Sequence, residues 1–426
     1  MRRIQKGFLE KDSMQPLHSL KVLLVGHPCS PGLGSEPGNT WNWAWQLTAH
    51  HQVWVLTHPQ YRSAVERFLR EKPRPNLHFI WLTLPSLWDP WGPDQGERGI
   101  RLHYLLWQRA AFWEAIRQHR VHNFNLVHHV SWNTLSAPPL LWRLPIPFVW
   151  GPIGGGQTAP AAFRAFFGSG WRREARRNLR VRLMPFFPAL RQAVRHCALL
   201  LATNRETVKL LERAGAHEVR LFLDTGLAPD YLPASLPKRG TSPQLTLLWA
   251  GRLESRKALP LALEALAQMV DVPVRLLVAG DGPLRSAWEA KAQQLGCLDR
   301  VRFMGKIPWE SMTELFRQAD IFLFTSLQDS SGAAVFEAMA HGLPIVTLDH
   351  QGVGAFVPPE AAIRVPVTTP AVTISALAHG LRRLAQSWEA RVKMGEAAWA
   401  YARSQTWDRR AEQMSQWYGE CLRRTL

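Results

Sequence analysis

What most constrains this chain is a repeated alternation of short β-branched apolar runs with helix-length amphipathic stretches. Such runs stand at 21–26, 52–58, 77–84, 126–130, 147–151, 197–203 and 219–224, and again at 245–250, 274–279, 301–304, 321–325 and 345–348. Each has strand length, and helical patterning fills the intervals. Strands separated by helices are joined by crossovers rather than hairpins, so the pattern predicts parallel sheets covered by helices on both faces. The class is α/β.

The 426 residues exceed one ordinary domain, and 46% apolar with 20% charged residues is enough for two cores and excludes wholesale disorder. Between 232 and 244 the strand and helix patterning gives way to LPASLPKRGTSPQ, with the prolines, glycine and small polar residues of a linker. We therefore expect a Rossmann-like domain over 20–231, a linker over 232–244 and a second Rossmann-like domain over 245–394. The helical run 395–426 carries Trp399, Tyr401, Trp407, Trp417 and Leu422 and is expected to pack back on a domain. Residues 1–19 hold Glu10, Lys11 and Asp12 where a signal peptide needs an apolar run, so they read as a disordered tail. Doubly wound sheets bind ligands at the carboxyl ends of their strands.

The formal net charge is +18, which predicts attraction to polyanions. Between 161 and 196 nine arginines (164, 172, 173, 176, 177, 180, 182, 191 and 195) face the single acid Glu174. Phe163, Phe166, Phe167, Trp171, Phe186 and Phe187 are interleaved with them, as a helix lying on an anionic membrane surface requires. A solvated basic face is the alternative. The cysteines Cys29, Cys197, Cys297 and Cys421 form no C-x-x-C pair, so neither a zinc knuckle nor a disulfide framework is indicated. A cytoplasmic protein, peripheral on the inner face of the cell membrane if 161–196 docks there, fits these features.

The stretch 326–344 carries the chemistry. Ser330 or Ser331 is placed to cap a helix that runs through Glu337 to His341 and is stopped by Gly342 and Pro344. The N–H groups at Gly332 and Ala333 would offer the positive end of the helix dipole to a phosphate. Asp329 and Glu337 can face the same cleft, where carboxylates suit the hydroxyls of a ribose or sugar ring.

This segment resembles the E-x7-E signature of the family 4 retaining glycosyltransferases, which have the two-domain GT-B fold; here it reads Asp329-x7-Glu337. LLWAGRLESRKALPLALEAL resembles that family's G-R-L and K-G segment, and LLVAGDGPLR its strand and G-x-G-P turn. VRFMGKIPWESMTELFRQADIFLFTS, CSPGLGSEPGNTWNWAWQL, LVHHVSW and FVWGPIGGGQTAP extend the resemblance, in family order, over nearly the whole chain. The resemblance implies that Arg252 and Lys257 neutralise a donor diphosphate, Glu337 holds the ribose and Asp329 touches the transferred sugar. It also implies that the base is read by backbone near Lys306 and Ile307. Preorganised cations and helix N–H groups would stabilise the leaving diphosphate directly, so neither a metal nor another cofactor is expected, and no D-x-D motif is present. Two positions depart from the family: Asp329 replaces a glutamate, and Ala258 stands where a glycine usually follows the lysine.

On the N-terminal side, Gly32-x-Gly34-x-x-Pro37 lacks the third glycine of a dinucleotide fingerprint, and no acid ends the second strand. Gly34, Ser35 and Glu36, with Asn39, are candidate acceptor contacts, as are Gly154 and Gly155 in the 151–160 loop. Of His128 and His129, alternation sends one into the cleft; the family spacing favours His128. The expected reaction moves a sugar from a nucleotide-sugar donor to a glycan or lipid-linked acceptor, in polysaccharide or glycolipid synthesis. Alternatives are a nucleotide-sugar 2-epimerase of the same fold and a basic nucleic-acid-binding protein, although 161–196 contains no recognisable nucleic-acid module.

Overall fold

The computed structural model describes residues 19–92, 96, 98–132, 134–237, 239–240 and 244–425. The expected tail at 1–18 lies outside them, as do parts of the 232–244 linker. Among the described residues thirteen strands are present: β1 (Lys21–Gly26), β2 (Gln52–Thr57), β3 (Leu77–Trp81), β4 (Leu126–Ser131), β5 (Phe148–Ile153), β6 (Leu199–Ala202), β7 (Val219–Leu221), β8 (Leu245–Ala250), β9 (Val274–Ala279), β10 (Val301–Gly305), β11 (Ile321–Phe324), β12 (Ile345–Leu348) and β13 (Ala362–Val365). They form a seven-stranded sheet, β3-β2-β1-β4-β5-β6-β7, and a six-stranded sheet, β10-β9-β8-β11-β12-β13. Two parallel α/β sheets are what the alternation predicted. The additional strand β13, only four residues after two prolines and an acid, carries too short an apolar run to stand out.

The chain divides into two compact units: 1–129 with 140–149 and 411–426, and 130–139 with 150–410. In the second unit the strand period sorts side chains to two faces. Leu247 and Trp249 of β8 and Ile321 and Leu323 of β11 enter one buried cluster, packed by the Leu259–Ala267 helix. Leu248 and Ala250, with Phe322 and Phe324, enter the other, packed by the Ala333–Ala340 helix. Burial on both faces explains why β8, β11 and β12 read as continuous apolar runs. In the first unit, Val22 to Val25 and Val53 to Leu56 are likewise buried, and Tyr418 of the Trp407–Thr425 helix is fully buried.

Candidate active site

Strands β8 and β11 are parallel neighbours, with Ile321 opposite Leu247 and Phe322 opposite Leu248. Their carboxyl ends therefore lie on one edge, which brings the 251–258 loop against the 325–332 loop. Thr325 Oγ1 donates to the carbonyls of Lys257 (3.2 Å) and Ala258 (3.1 Å) and accepts from Trp249 Nε1 (3.1 Å). Leu327 N donates to Arg256 O at 2.8 Å, and an Arg256 guanidinium N–H donates to Gln328 O at 3.2 Å. Across this seam the Lys257 ammonium pairs with the Asp329 carboxylate. The Asp329 N–H donates to Gln351 Oε1 at 2.6 Å, fixing the loop from its other side.

The helix after this loop starts differently from the sequence expectation. It spans Ala333–Ala340 with Gly332 as N-cap and no side-chain cap bond. Gly332 adopts φ +73°, and a Cβ there would stand 2.5 Å from Val353 Cγ2, so the entry angle requires glycine. Ser331 instead hydrogen-bonds the half-buried Asp224, whose carboxyl is raised above its ordinary range by desolvation. Arg410 lies in the same cluster, its pKa drawn down to about 10 by burial. It donates to Gln405 Oε1 at 2.7 Å and Leu223 O at 3.3 Å, and covers the Phe222 ring at 5.0 Å. Asp224 and Arg410 are 186 residues apart in sequence, and no local motif announces them.

Glu337 lies a little over one turn into the helix. Burial raises its carboxyl above the usual range, and a hydrogen bond with Trp309 opposes that shift. It lines a small recess with Ala333, Phe336, Thr225 and Arg410. Asp329 lines a different one with Gln157, Arg177, Arg256, Gln328 and Ser330. The two acids thus line separate recesses, and the loop carrying Asp329 is turned toward Lys257. Arg252 is exposed two residues beyond β8. Ile307 packs partly buried against the second apolar cluster.

The glycine loop after β5 also reaches this site. A Cβ on Gly154 would lie 3.1 Å from Ser330 Oγ, and Gln157 Nε2 donates to Ser330 Oγ at 3.4 Å. Gly155, at φ +109°, donates its N–H to Gln157 Oε1 at 2.8 Å. Arg177 pairs with Glu174 at 3.0 Å and donates to Gln157 O at 2.8 Å. The Gln328 amide, oriented with its oxygen toward Arg177 and its nitrogen toward Glu174, joins them. One of the nine arginines thus belongs to the site, which charge counting alone could not single out.

In the first unit, Gly34 and Ser35 are exposed at the start of the Ser35–Leu47 helix and Glu36 is half-buried. His128 needs a correction. Its ring is fully buried, its Nδ1 lies 2.6 Å from Tyr418 Oη, and Trp43 packs edge-on at 6.1 Å, so it offers no surface to a ligand. Alternation sends His129 the other way, to Tyr104 Oη at 3.1 Å; burial lowers its pKa to about 3. The 161–196 segment is also rearranged. Glycines and prolines break it into helices at Arg164–Phe167, Trp171–Leu183 and Pro188–Arg195. Phe163 and Phe167 are core residues, and Phe166 and Trp171 pack against that core. The exposed apolar side chains are Leu179, Leu183, Phe186 and Phe187.

The seven-stranded and six-stranded parallel α/β sheets, shared with solved glycosyltransferases, have the GT-B fold. Residues 236–400 match the family model of glycosyl transferases group 1. The D-inositol 3-phosphate glycosyltransferase of Corynebacterium glutamicum (strain R) is 28% identical over 183 residues, 41% of this chain and 43% of that protein. The chain thus spans under half the length of the curated relatives it matches. Sucrose-phosphate synthase from Thermosynechococcus elongatus shares the fold with TM-score 0.65 and 17% identity, covering 94% of this chain and 98% of that one. Anabaena HepE in complex with UDP aligns with TM-score 0.61 and 18% identity, covering 95% and 100%.

Proposed function

We propose that this protein is a retaining glycosyltransferase that moves a sugar from a nucleotide-sugar donor to a glycan or lipid-linked acceptor. The observation that carries this reading is the Lys257–Asp329 pair, set on adjoining strand ends beside the Ala333–Ala340 helix N-terminus. A diphosphate placed there meets Lys257, the exposed Arg252 and the N–H groups at Gly332 and Ala333. All of these stabilise the negative charge that grows as the glycosidic bond breaks. Asp329 then touches the transferred sugar, Glu337 the ribose, and backbone near Ile307 the base. The leaving phosphate takes the acceptor proton on the same face, so this step needs neither a protein base nor a metal. Gly154 and Gly155, beside Ser330, line the acceptor side. The UDP in the HepE structure supports a nucleotide donor. No observation favours the epimerase or nucleic-acid alternatives.

Among the described residues no helix is long and apolar enough to cross a membrane. A peripheral position on an anionic surface is supported by Leu179, Leu183, Phe186 and Phe187, exposed among arginines of the same segment. The pathway that fits this position is cell-surface polysaccharide or glycolipid synthesis. Thermal stabilisation across a panel of UDP- and GDP-sugars tests the donor site, since a ligand bound only by the native state raises the midpoint. A midpoint rise with one donor, lost in Glu337→Ala, is the expected result. A flat response across the panel would overturn the reading.

A further inference from the structure

Four polar side chains unused by the proposed transfer converge at the carboxyl ends of β1 and β2. His27 directly follows β1 and His58 directly follows β2; His103 lies in the first turn of the Ile100–His122 helix, and Asp89 in the connection before it. The strand ends are clamped, because His58 N and Thr57 Oγ1 both donate to His27 O at 2.9 Å. One ligand atom from each of His58, Asp89 and His103 lies within 4.8 Å of the others. The His58 and His103 ring centres are 5.3 Å apart and nearly perpendicular, at 86°. Two imidazoles sharing a tetrahedral cation, each with its nitrogen at about 2.0–2.1 Å, have ring centres about 5 Å apart. The histidines are buried, and the Trp91 ring covers His103 at 4.9 Å.

We propose that His58, His103 and Asp89 bind a divalent transition cation of the zinc class, with His27 as the outer partner that orients His103. Two imidazoles and one carboxylate suit zinc better than magnesium or calcium, which take oxygen-rich shells. His103 places Nδ1 2.5 Å from Asp89 Oδ1 and Nε2 2.8 Å from His27 Nε2. Without a cation, the His103 Nδ1 proton bridges to Asp89 and His27 Nε2–H donates to His103 Nε2. With the cation on Nδ1, His103 carries its proton on Nε2 and donates to His27, which holds its own on Nδ1. No net proton is released by this exchange. Outer hydrogen bonds of this kind fix the tautomer of a ligating histidine. His58 gives up only the long Gln60 N–H contact to its Nδ1, at 3.3 Å. A water completes four-coordination. The cation ties the Asp89 connection to two strand ends and takes no part in sugar transfer.

The test is titration of the full-length, chelator-treated protein with zinc and with cobalt(II), followed by metal content, visible absorption and thermal midpoint. The expected result is about one equivalent of zinc per chain, a tetrahedral cobalt spectrum and a midpoint raised by several degrees. His58→Asn and Asp89→Asn should each weaken zinc binding about tenfold or more. The proposal is overturned if the folded wild-type chain takes up far less than one equivalent. It is equally overturned by the weak spectrum of octahedral surface-bound cobalt, or by undiminished binding in the His58→Asn/Asp89→Asn double variant. The cobalt spectrum of the wild-type chain decides the question even if the variants do not fold.

Discussion

The ammonium of Lys257 and the carboxylate of Asp329 form an ion pair across two loops 72 residues apart in sequence. Lys257 is the cation proposed to meet the donor diphosphate, and its charge is shared with Asp329. Phosphate must compete with Asp329 for it. Asp329→Asn removes the competitor and the proposed sugar contact together. We expect the affinity for UDP or GDP alone to be kept or strengthened, while transfer falls by about two orders of magnitude. Lys257→Ala should weaken both. Calorimetric titration with the diphosphates beside a transfer assay separates the two effects; a parallel loss of nucleotide binding in Asp329→Asn would contradict the arrangement.

Glu337 links function to pH dependence. Burial holds its carboxyl above the ordinary range in the folded chain, while the unfolded chain titrates normally. Between those two values the folded state binds more protons, so this group's contribution lowers stability as pH rises through the interval. Glu337→Gln removes the cost of the buried charge. It should raise the thermal midpoint at neutral pH, narrow the gain toward pH 4, and still lose donor binding. Melting curves from pH 4 to 8 check the sign; a variant less stable at pH 7 than at pH 4, relative to wild type, would refute it.

How far the sequence reached follows from range. Strand positions were legible because a buried parallel strand is a continuous apolar run, and the Lys257 and Asp329 segments because each motif is local. Side-chain partners set by the tertiary fold were not legible. Ser331 looked like a helix cap but serves Asp224, since Gly332 alone accommodates the left-handed entry beside Val353. His128 looked like a cleft residue, yet its partner is Tyr418, 290 residues away. Phe163 and Phe167 read as interfacial aromatics among arginines but face the core. Alternation gives the two directions of a strand or helix, not which one meets solvent.

Gly332 and Ala258 make the same left-handed demand on backbone conformation but meet it with different residues. Gly332 at φ +73° should tolerate alanine poorly, because a left-handed L-residue costs about 1–2 kcal/mol and the new methyl meets Val353. We expect Gly332→Ala to destabilise by about 1–3 kcal/mol. Ala258, at φ +48°, already carries that strain. Ala258→Gly relieves it but adds about 0.5–1 kcal/mol of chain entropy and loses a buried methyl worth about 0.8 kcal/mol. The terms nearly cancel. Urea midpoints should therefore shift clearly for Gly332→Ala and by little for Ala258→Gly; equal shifts would refute the asymmetry.

The exposed face of 171–195 yields a prediction about membranes. Phe186 is 71% exposed and Leu179 57%, while Arg176, Arg180 and Arg182 are exposed beside them. Apolar side chains at a headgroup boundary contribute by burial, and each arginine near an anionic surface contributes about 1 kcal/mol, roughly a fivefold change in affinity. Arg180→Gln and Arg182→Gln should each weaken binding to phosphatidylserine-containing vesicles about fivefold. Phe186→Ser should weaken it without moving the thermal midpoint, because that ring contributes little to the fold. Raising salt from about 0.1 M to 1 M shortens the screening length from about 10 Å to 3 Å and should release most of the bound protein. Vesicle co-sedimentation measures all of these. Equal binding to neutral vesicles, or binding that ignores salt, would assign the arginines to a solvated face, with only Arg177 retained at the site.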